Sequence, residues 1–96
     1  MEMPDLYNFG SYKVYFWINE GEPLEPVHFH ISNNYSKDAD KFWITDKGII
    51  IPDKSNSKVP TRESNKILDI LSSIDAAEKI VNRWIKFFGE ICYVGS

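Results

Sequence analysis

Cysteine and long apolar runs are scarce in this sequence. The 96 residues include one cysteine, Cys92, which excludes an internal disulfide framework and a cysteine-rich zinc site. No apolar run approaches the roughly 20 residues that cross a bilayer, so we expect no membrane contact. Residues 1–5 have neither the basic nor the apolar region of a signal peptide. A reducing cytoplasm is therefore the expected location.

An excess of positive charge is also missing. The chain has 11 Lys and Arg against 14 Asp and Glu, a net charge of −3. Residues 1–60 hold six basic and nine acidic groups, whereas residues 61–96 hold five of each. Neither half has the basic surplus that follows a phosphate backbone, so nucleic acid is not an expected partner.

Aromatic residues, in contrast, are plentiful. Three Trp, five Tyr and six Phe occur in a chain that is 43% hydrophobic and 26% charged. This composition is typical of a globular protein with a large-residue core. The length fits a single domain over residues 1–96. A strand-rich part at about 11–52 and a helical part at about 60–89 predict an α+β fold.

The first half of the chain predicts a curved antiparallel sheet of three to four strands. β-branched and aromatic residues are concentrated in residues 12–18, 27–32, 41–45 and 49–51. Asp46, Lys47 and Gly48 suit a tight hairpin in which Gly48 takes a positive φ. Pro52 should end the last strand, since proline cannot donate to a ladder.

The second half predicts two C-terminal helices packed on one face of that sheet. The apolar period there changes to about 3.6, and the first helix should begin at Pro60 or Thr61. Asp75 and Glu78 resemble a capping box that begins the second helix, and Gly89 suits its end. The apolar stripes are expected at Ile67, Leu68 and Leu71, and at Ile74, Ala77, Val81, Trp84 and Phe88.

Alternation along the strands sorts the side chains onto two faces. The helices should cover an aliphatic and Phe face of Val14, Phe16, Ile18, Val27, Phe29, Ile31, Phe42 and Ile44. The opposite face, here called the aromatic face, should carry Tyr15, Trp17, His28, His30, Trp43 and the lysines Lys13 and Lys41. A solvent face is ordinarily polar, so something should cover this one. A terminal segment (residues 6–9 or 91–94), a protein partner or second copy, and single-stranded nucleic acid are the alternatives.

The most distinctive local feature is the strand Pro26-Val27-His28-Phe29-His30. Two histidines at i and i+2 share a face, with Cβ atoms about 6–7 Å apart, and can ligate one metal ion. A third ligand could come from Glu25 or Asp40, or from the nearby Glu20, Glu22 and Asp38. The same imidazoles could perform acid–base catalysis. The simpler interpretation is structural, with ring nitrogens hydrogen-bonded and ring bodies packed on aromatic neighbours. No cofactor is required by the sequence.

Several of these motifs together resemble a known family. They are Tyr12-Lys13-Val14-Tyr15-Phe16-Trp17, Glu25-Pro26-Val27-His28-Phe29-His30-Ile31, Ala39-x-Lys41-x-Trp43-Ile44 with Gly48, Asn56-x-Lys58-Val59-Pro60, and Trp84 with Phe88-Gly89. This arrangement is similar to the bacterial domain of unknown function 4160, over about residues 10–90. The resemblance implies a compact cytoplasmic protein with a β-rich first half and a helical second half. It also implies a very small protein as gene neighbour, and hence a toxin–antitoxin-like pair.

Two functions follow as hypotheses. The first is a non-enzymatic interaction module that docks a small protein partner, or itself, through Tyr15, Trp17, Lys41 and Trp43. The alternative is a small hydrolase or ribonuclease, dependent on His28 and His30 with or without a divalent metal ion.

Overall fold

The computed structural model describes residues 5–17, 25–35 and 39–95. Ile18 of the predicted first strand lies outside these ranges, as do the acidic residues Glu20, Glu22 and Asp38. Within the described part, no helix is both long and apolar enough to span a membrane.

Five antiparallel strands form one open sheet, and their order in the sheet follows the chain, β1-β2-β3-β4-β5. They are β1 (Asp5–Phe9), β2 (Tyr12–Tyr15), β3 (His28–Ser32), β4 (Asp40–Ile44) and β5 (Ile50–Pro52). The α+β class is therefore confirmed, but the prediction of three to four strands is wrong, because β1 had been read only as a covering segment.

The strand β1 escaped prediction because its alternation is interrupted. The pairing register with β2 shifts between Asp5 and Tyr7, so Leu6 is an extra residue in a β-bulge. Asn8, a poor strand former, follows two residues after Leu6. The strand is held by a two-residue hairpin, in which Gly10 has a φ of +62°. Pairing with β2, not local propensity, makes this segment a strand.

Two helices follow the sheet, α1 (Thr61–Ser73) and α2 (Ala76–Phe88), as the change of period predicted. Gly89 ends α2 with a φ of +74°, in the left-handed conformation that glycine adopts without a Cβ penalty. The predicted capping box is wrong: Asp75 has a φ of +52°, and its side chain makes no capping hydrogen bond. The chain must turn sharply here, because one residue, Ile74, separates α1 from Asp75.

The core lies between the helices and one face of the sheet, where the aliphatic and Phe face was expected. Its buried members include Val14, Phe16, Phe29, Ile31, Phe42 and Ile44 from the sheet, with Ile67, Leu71, Ala76, Ile80 and Trp84 from the helices. On α2, Trp84 is buried as predicted, and Ala77, Val81 and Phe88 are half-buried against the core, whereas burial of Ala76 and Ile80 was not predicted. Ile74 is exposed because it caps α1 and is not part of α2.

Candidate functional site

The strand register places the residues of the aromatic face together. Directly opposite residues of neighbouring antiparallel strands point to the same side, and the pairs are Tyr15–His30, His30–Lys41 and His28–Trp43. The rings then touch in sequence, with centroid separations of 5.5 Å for Tyr15–His30, 5.2 Å for His30–His28 and 5.4 Å for His28–Trp43. Trp17 continues the row at 5.8 Å from Tyr15. The predicted grouping is confirmed.

The centre of this face is buried. The exposed fractions of Tyr15, His28 and His30 are 0%, 0% and 2%. Tyr35 packs edge-on against Tyr15 at 5.1 Å. The indole of Trp84, from α2, lies 5.2 Å from the imidazole of His28, so the helical layer reaches this residue. Tyr15 and the two histidines are thus buried, whereas Trp17, Lys41 and Trp43 of the predicted interaction face are half-buried, and docking through this face stays a prediction.

His28 is fixed in one orientation by its own strand. Its Nδ1 lies 2.9 Å from the carbonyl oxygen of Pro26. Because a carbonyl only accepts, Nδ1 carries a proton and donates a hydrogen bond to Pro26. The nearest carboxylate oxygen among described ion-pair partners belongs to Glu25, at 4.0 Å from Nε2, which is too long for a hydrogen bond. Glu25 instead pairs with Lys41, at 3.5 Å.

Asp40 cannot join the histidines as a metal ligand. It pairs with Ile31 in the sheet, so it points to the face opposite to His30 and its partner Lys41. Its Oδ1 accepts hydrogen bonds from the backbone N–H groups of Ser57 and Lys58, at 2.9 and 3.0 Å. Its Oδ2 accepts one from Val59, at 2.9 Å. Asp40 is an anchor for the loop that leads from the sheet into α1.

A three-ligand site does not form in residues 5–17, 25–35 and 39–95, where no three His, Cys, Asp or Glu side chains converge. Glu25 remains near His28, and the proposed ligands Glu20, Glu22 and Asp38 lie outside the described residues. The predicted metal site of His28, His30 and Asp40 is therefore wrong, because Asp40 points to the other face of the sheet.

One accessible part of the aromatic face lies at its outer end, on β4 and β5, while Trp17 at the other end of the row is also half-buried. We call it the β4–β5 rim and define it by Lys41, Trp43 and Ile51. Trp43 is half-buried and stands opposite Ile51, which is 42% exposed. The ammonium of Lys41 lies 4.8 Å from the centroid of the Trp43 ring, a cation–π contact.

Asp53 fixes the indole of the rim. The Nε1–H of Trp43 donates to its Oδ1 at 3.1 Å, and both the backbone N–H and the hydroxyl of Ser55 donate to its Oδ2. The hydrogen bonds from Ser55, then that from Trp43, with a smaller contribution from Lys41, lower the pKa of Asp53 from 3.8 to about 2. Sequence reasoning missed Ile51 and Asp53. The hairpin register around Gly48 would have placed Ile51 beside Trp43.

The chain is similar in sequence to one known protein family. The family model of the domain of unknown function DUF4160 matches residues 11–86, most of the chain. The chain belongs to the DUF4160 family. In this DUF4160 protein the match includes β2 to β5, the histidine pair and most of both helices, whereas β1 precedes it. No curated protein and no solved structure matches the chain.

Proposed function

We propose that this DUF4160 protein is a non-enzymatic interaction module that docks a small protein partner, or a second copy of itself, through the β4–β5 rim. The single observation behind this proposal is the half-buried Trp43 standing beside the exposed Ile51 on an edge hairpin. Tryptophan is among the preferred anchors of protein interfaces, and Ile49 adds exposed apolar surface at the hairpin tip.

The rim is also preorganised for binding. Trp43 is held on one side by the hydrogen bond to Asp53 and on another by Lys41, which is itself paired with Glu25. An anchor that is already held in place loses less side-chain entropy on association. A rigid indole beside an exposed isoleucine favours docking of an apolar segment.

Burial of the histidine pair favours this proposal over the hydrolase. A general base must come within hydrogen-bond reach of its substrate, and neither His28 nor His30 has more than 2% of its surface accessible. Their ring contacts with Tyr15, Trp43 and Trp84 are those of a packed polar layer. The hydrolase stays a prediction of the sequence.

The family resemblance supplies the setting of the proposal. It implies a bacterial cytoplasmic protein whose gene neighbours another very small protein, as in a toxin–antitoxin-like pair. The product of that neighbouring gene is therefore the first partner to test.

The test is the molar mass of the protein at micromolar concentration, measured by analytical ultracentrifugation alone and with the neighbouring gene product. We expect a homodimer or a mixed complex, and we expect Ile51→Glu to abolish it. Ile70→Glu is the matched control, because Ile70 lies on α1 and is exposed to the same extent, 43%. The proposal is refuted if the wild-type protein stays monomeric both alone and with the neighbouring gene product. It is also refuted if the Ile51→Glu variant assembles as well as the wild type.

A further inference from the structure

A groove runs between β1 and α2, at the opposite edge of the sheet from the β4–β5 rim. Its floor is formed by Leu6, Tyr7 and Ile80, and its volume is about 360 Å³. Its walls carry Lys79, Arg83 and Lys86 from α2, together with Asn82. The groove thus joins an apolar floor to a basic wall.

The charges of this wall are concentrated and available. Residues 79, 83 and 86 stand at i, i+4 and i+7, so they form one stripe along the helix. Among the side chains described in residues 6–17, 25–35 and 39–95, no carboxylate lies in ion-pair contact with any of the three, and none lines the groove. The guanidinium of Arg83 lies over the ring of Phe87, at 5.9 Å. These three cations stand close together in a chain whose net charge is −3.

The strand beside the groove has an available edge. In the described part of the sheet, β1 pairs with β2 alone. The residues that flank a two-residue turn, Phe9 and Tyr12, face each other through hydrogen bonds, and alternation then directs the main-chain N–H and C=O of Asn8 away from β2. The strand contains neither lysine nor proline, two common protections of an edge. Its β-bulge, a third protection, lies at Leu6 and leaves the pairing of residues 7–9 with β2 regular.

The opposite edge of the sheet is protected by comparison. Hydrogen bonds from Thr45 to Ile49 and from Asp53 to Lys41 show which residues of the β4–β5 ladder face each other. By alternation Ile50 and Pro52 direct their main-chain groups outward. Pro52 has no N–H, so strand addition at β5 lacks one donor. Of these two edges, β1 is the one fitted to accept another strand.

We propose that the β1–α2 groove binds an extended acidic segment of a partner protein, which adds to β1 as a sixth strand. Its main chain pairs with Asn8, its apolar side chains contact Leu6 and Tyr7, and its carboxylates meet the basic stripe of α2. Addition of a strand to an open edge is an established mode of peptide recognition. The apolar floor and the unpaired main-chain groups favour a polypeptide over a nucleic acid. This inference rests on the proposed role as an interaction module, but it uses a separate surface.

The test uses the full chain and a defined probe, a fluorescein-labelled peptide of five Glu-Val repeats, with five Lys-Val repeats as the comparison. Fluorescence anisotropy gives the affinity, and amide chemical shifts give the location. We expect only the acidic peptide to bind, with shifts confined to residues 6–9 and 79–86. Lys79→Glu/Lys86→Glu should weaken binding by about tenfold or more, which corresponds to about 1.4 kcal/mol. Lys47→Glu/Lys66→Glu changes the net charge equally at exposed positions outside the groove and should change the affinity by less than about twofold.

Asn8→Pro separates strand addition from simple charge attraction. It removes the outward N–H on β1 and should abolish binding while the circular dichroism spectrum stays unchanged. If this variant does not fold, the charge variants decide alone. Equal binding of the two peptides, or equal weakening by the two double variants, overturns the inference. Competition by an oligothymidylate of ten nucleotides at the same strength overturns the assignment to a protein segment. If the partner complex forms through Ile51 but the acidic peptide does not bind, the proposed function stands and this inference fails.

Discussion

Replacing Asp40 by alanine tests whether this carboxylate is a structural anchor or a ligand that the histidines share. The side chain is 2% exposed and accepts three backbone hydrogen bonds. Ser57 and Lys58 are exposed, so their N–H groups can turn to water at about 0.5–1 kcal/mol each. Val59 is buried, and its N–H would be left unsatisfied, at about 1–3 kcal/mol. The expected loss is therefore about 3 kcal/mol in the free energy of unfolding.

The assay is urea denaturation followed by tryptophan fluorescence, with and without EDTA and with added zinc. Because the two oxygens of Asp40 are committed to residues 57–59, the loss should be the same in all three conditions. Asp40→Asn should lose less, since one oxygen remains to accept. Asp46→Ala is the control, as Asp46 is an exposed residue of the β4–β5 hairpin turn, and its stability should change by less than about 0.5 kcal/mol. Asp40→Ala with near wild-type stability would refute the anchor role, and a loss that appears only when zinc is present would restore the ligand role.

Two further predictions concern Trp84 and Asp53. Trp84→Ala should lower the free energy of unfolding by about 3–5 kcal/mol. Trp84→Phe should cost much less, because the buried Nε1 of Trp84 has no acceptor among the described residues and no hydrogen bond is lost; urea denaturation compares the two, and equal losses would contradict this reasoning. The lowered pKa of Asp53 means that its carboxylate stabilises the fold above about pH 4 and that this contribution disappears as the pH falls from about 4 towards 2. Above about pH 4, Asp53→Asn should lower the free energy of unfolding by less than about 1 kcal/mol. The resulting difference in thermal midpoint between the wild type and this variant should shrink as the pH falls from about 4 towards 2. A midpoint difference that persists at pH 2 would show that the side chain acts independently of its charge.

The sequence predicted most of the architecture because periodicity reports burial directly. Strands β2 to β5 and both helices follow from alternation and from the change of period near Pro60. The strand β1 does not, because a bulge at Leu6 breaks the alternation and its pairing with β2 is a tertiary property. Burial of Ala76 and Ile80 on α2 has a similar origin, since the turn at Asp75 sets the phase of the helix.

For the candidate site, alternation along the strands predicted which side chains share a face but not which of them are accessible to solvent. The rings of Tyr15, His28 and His30 share a face as expected, yet the side chains that bury them, Tyr35 and Trp84, come from other parts of the chain. Alternation along β4 already separated Asp40 from the histidines, because Asp40 lies two residues before Phe42 and therefore points to the same, core-facing side. Its separation from the histidines was therefore available from the sequence, whereas its hydrogen bonds to residues 57–59 depend on the fold of the loop.

The order of the strands has a consequence for biosynthesis. Each strand pairs with its neighbour in sequence, so the sheet can assemble from short loops while the chain emerges from the ribosome. The helices that cover its apolar side come last, and α2 is complete only at Phe88. Until then Phe29 and Phe42 face solvent in a nascent sheet without its cover. A sheet that forms before the helices are made would therefore expose an apolar face, which favours aggregation until α2 packs on it.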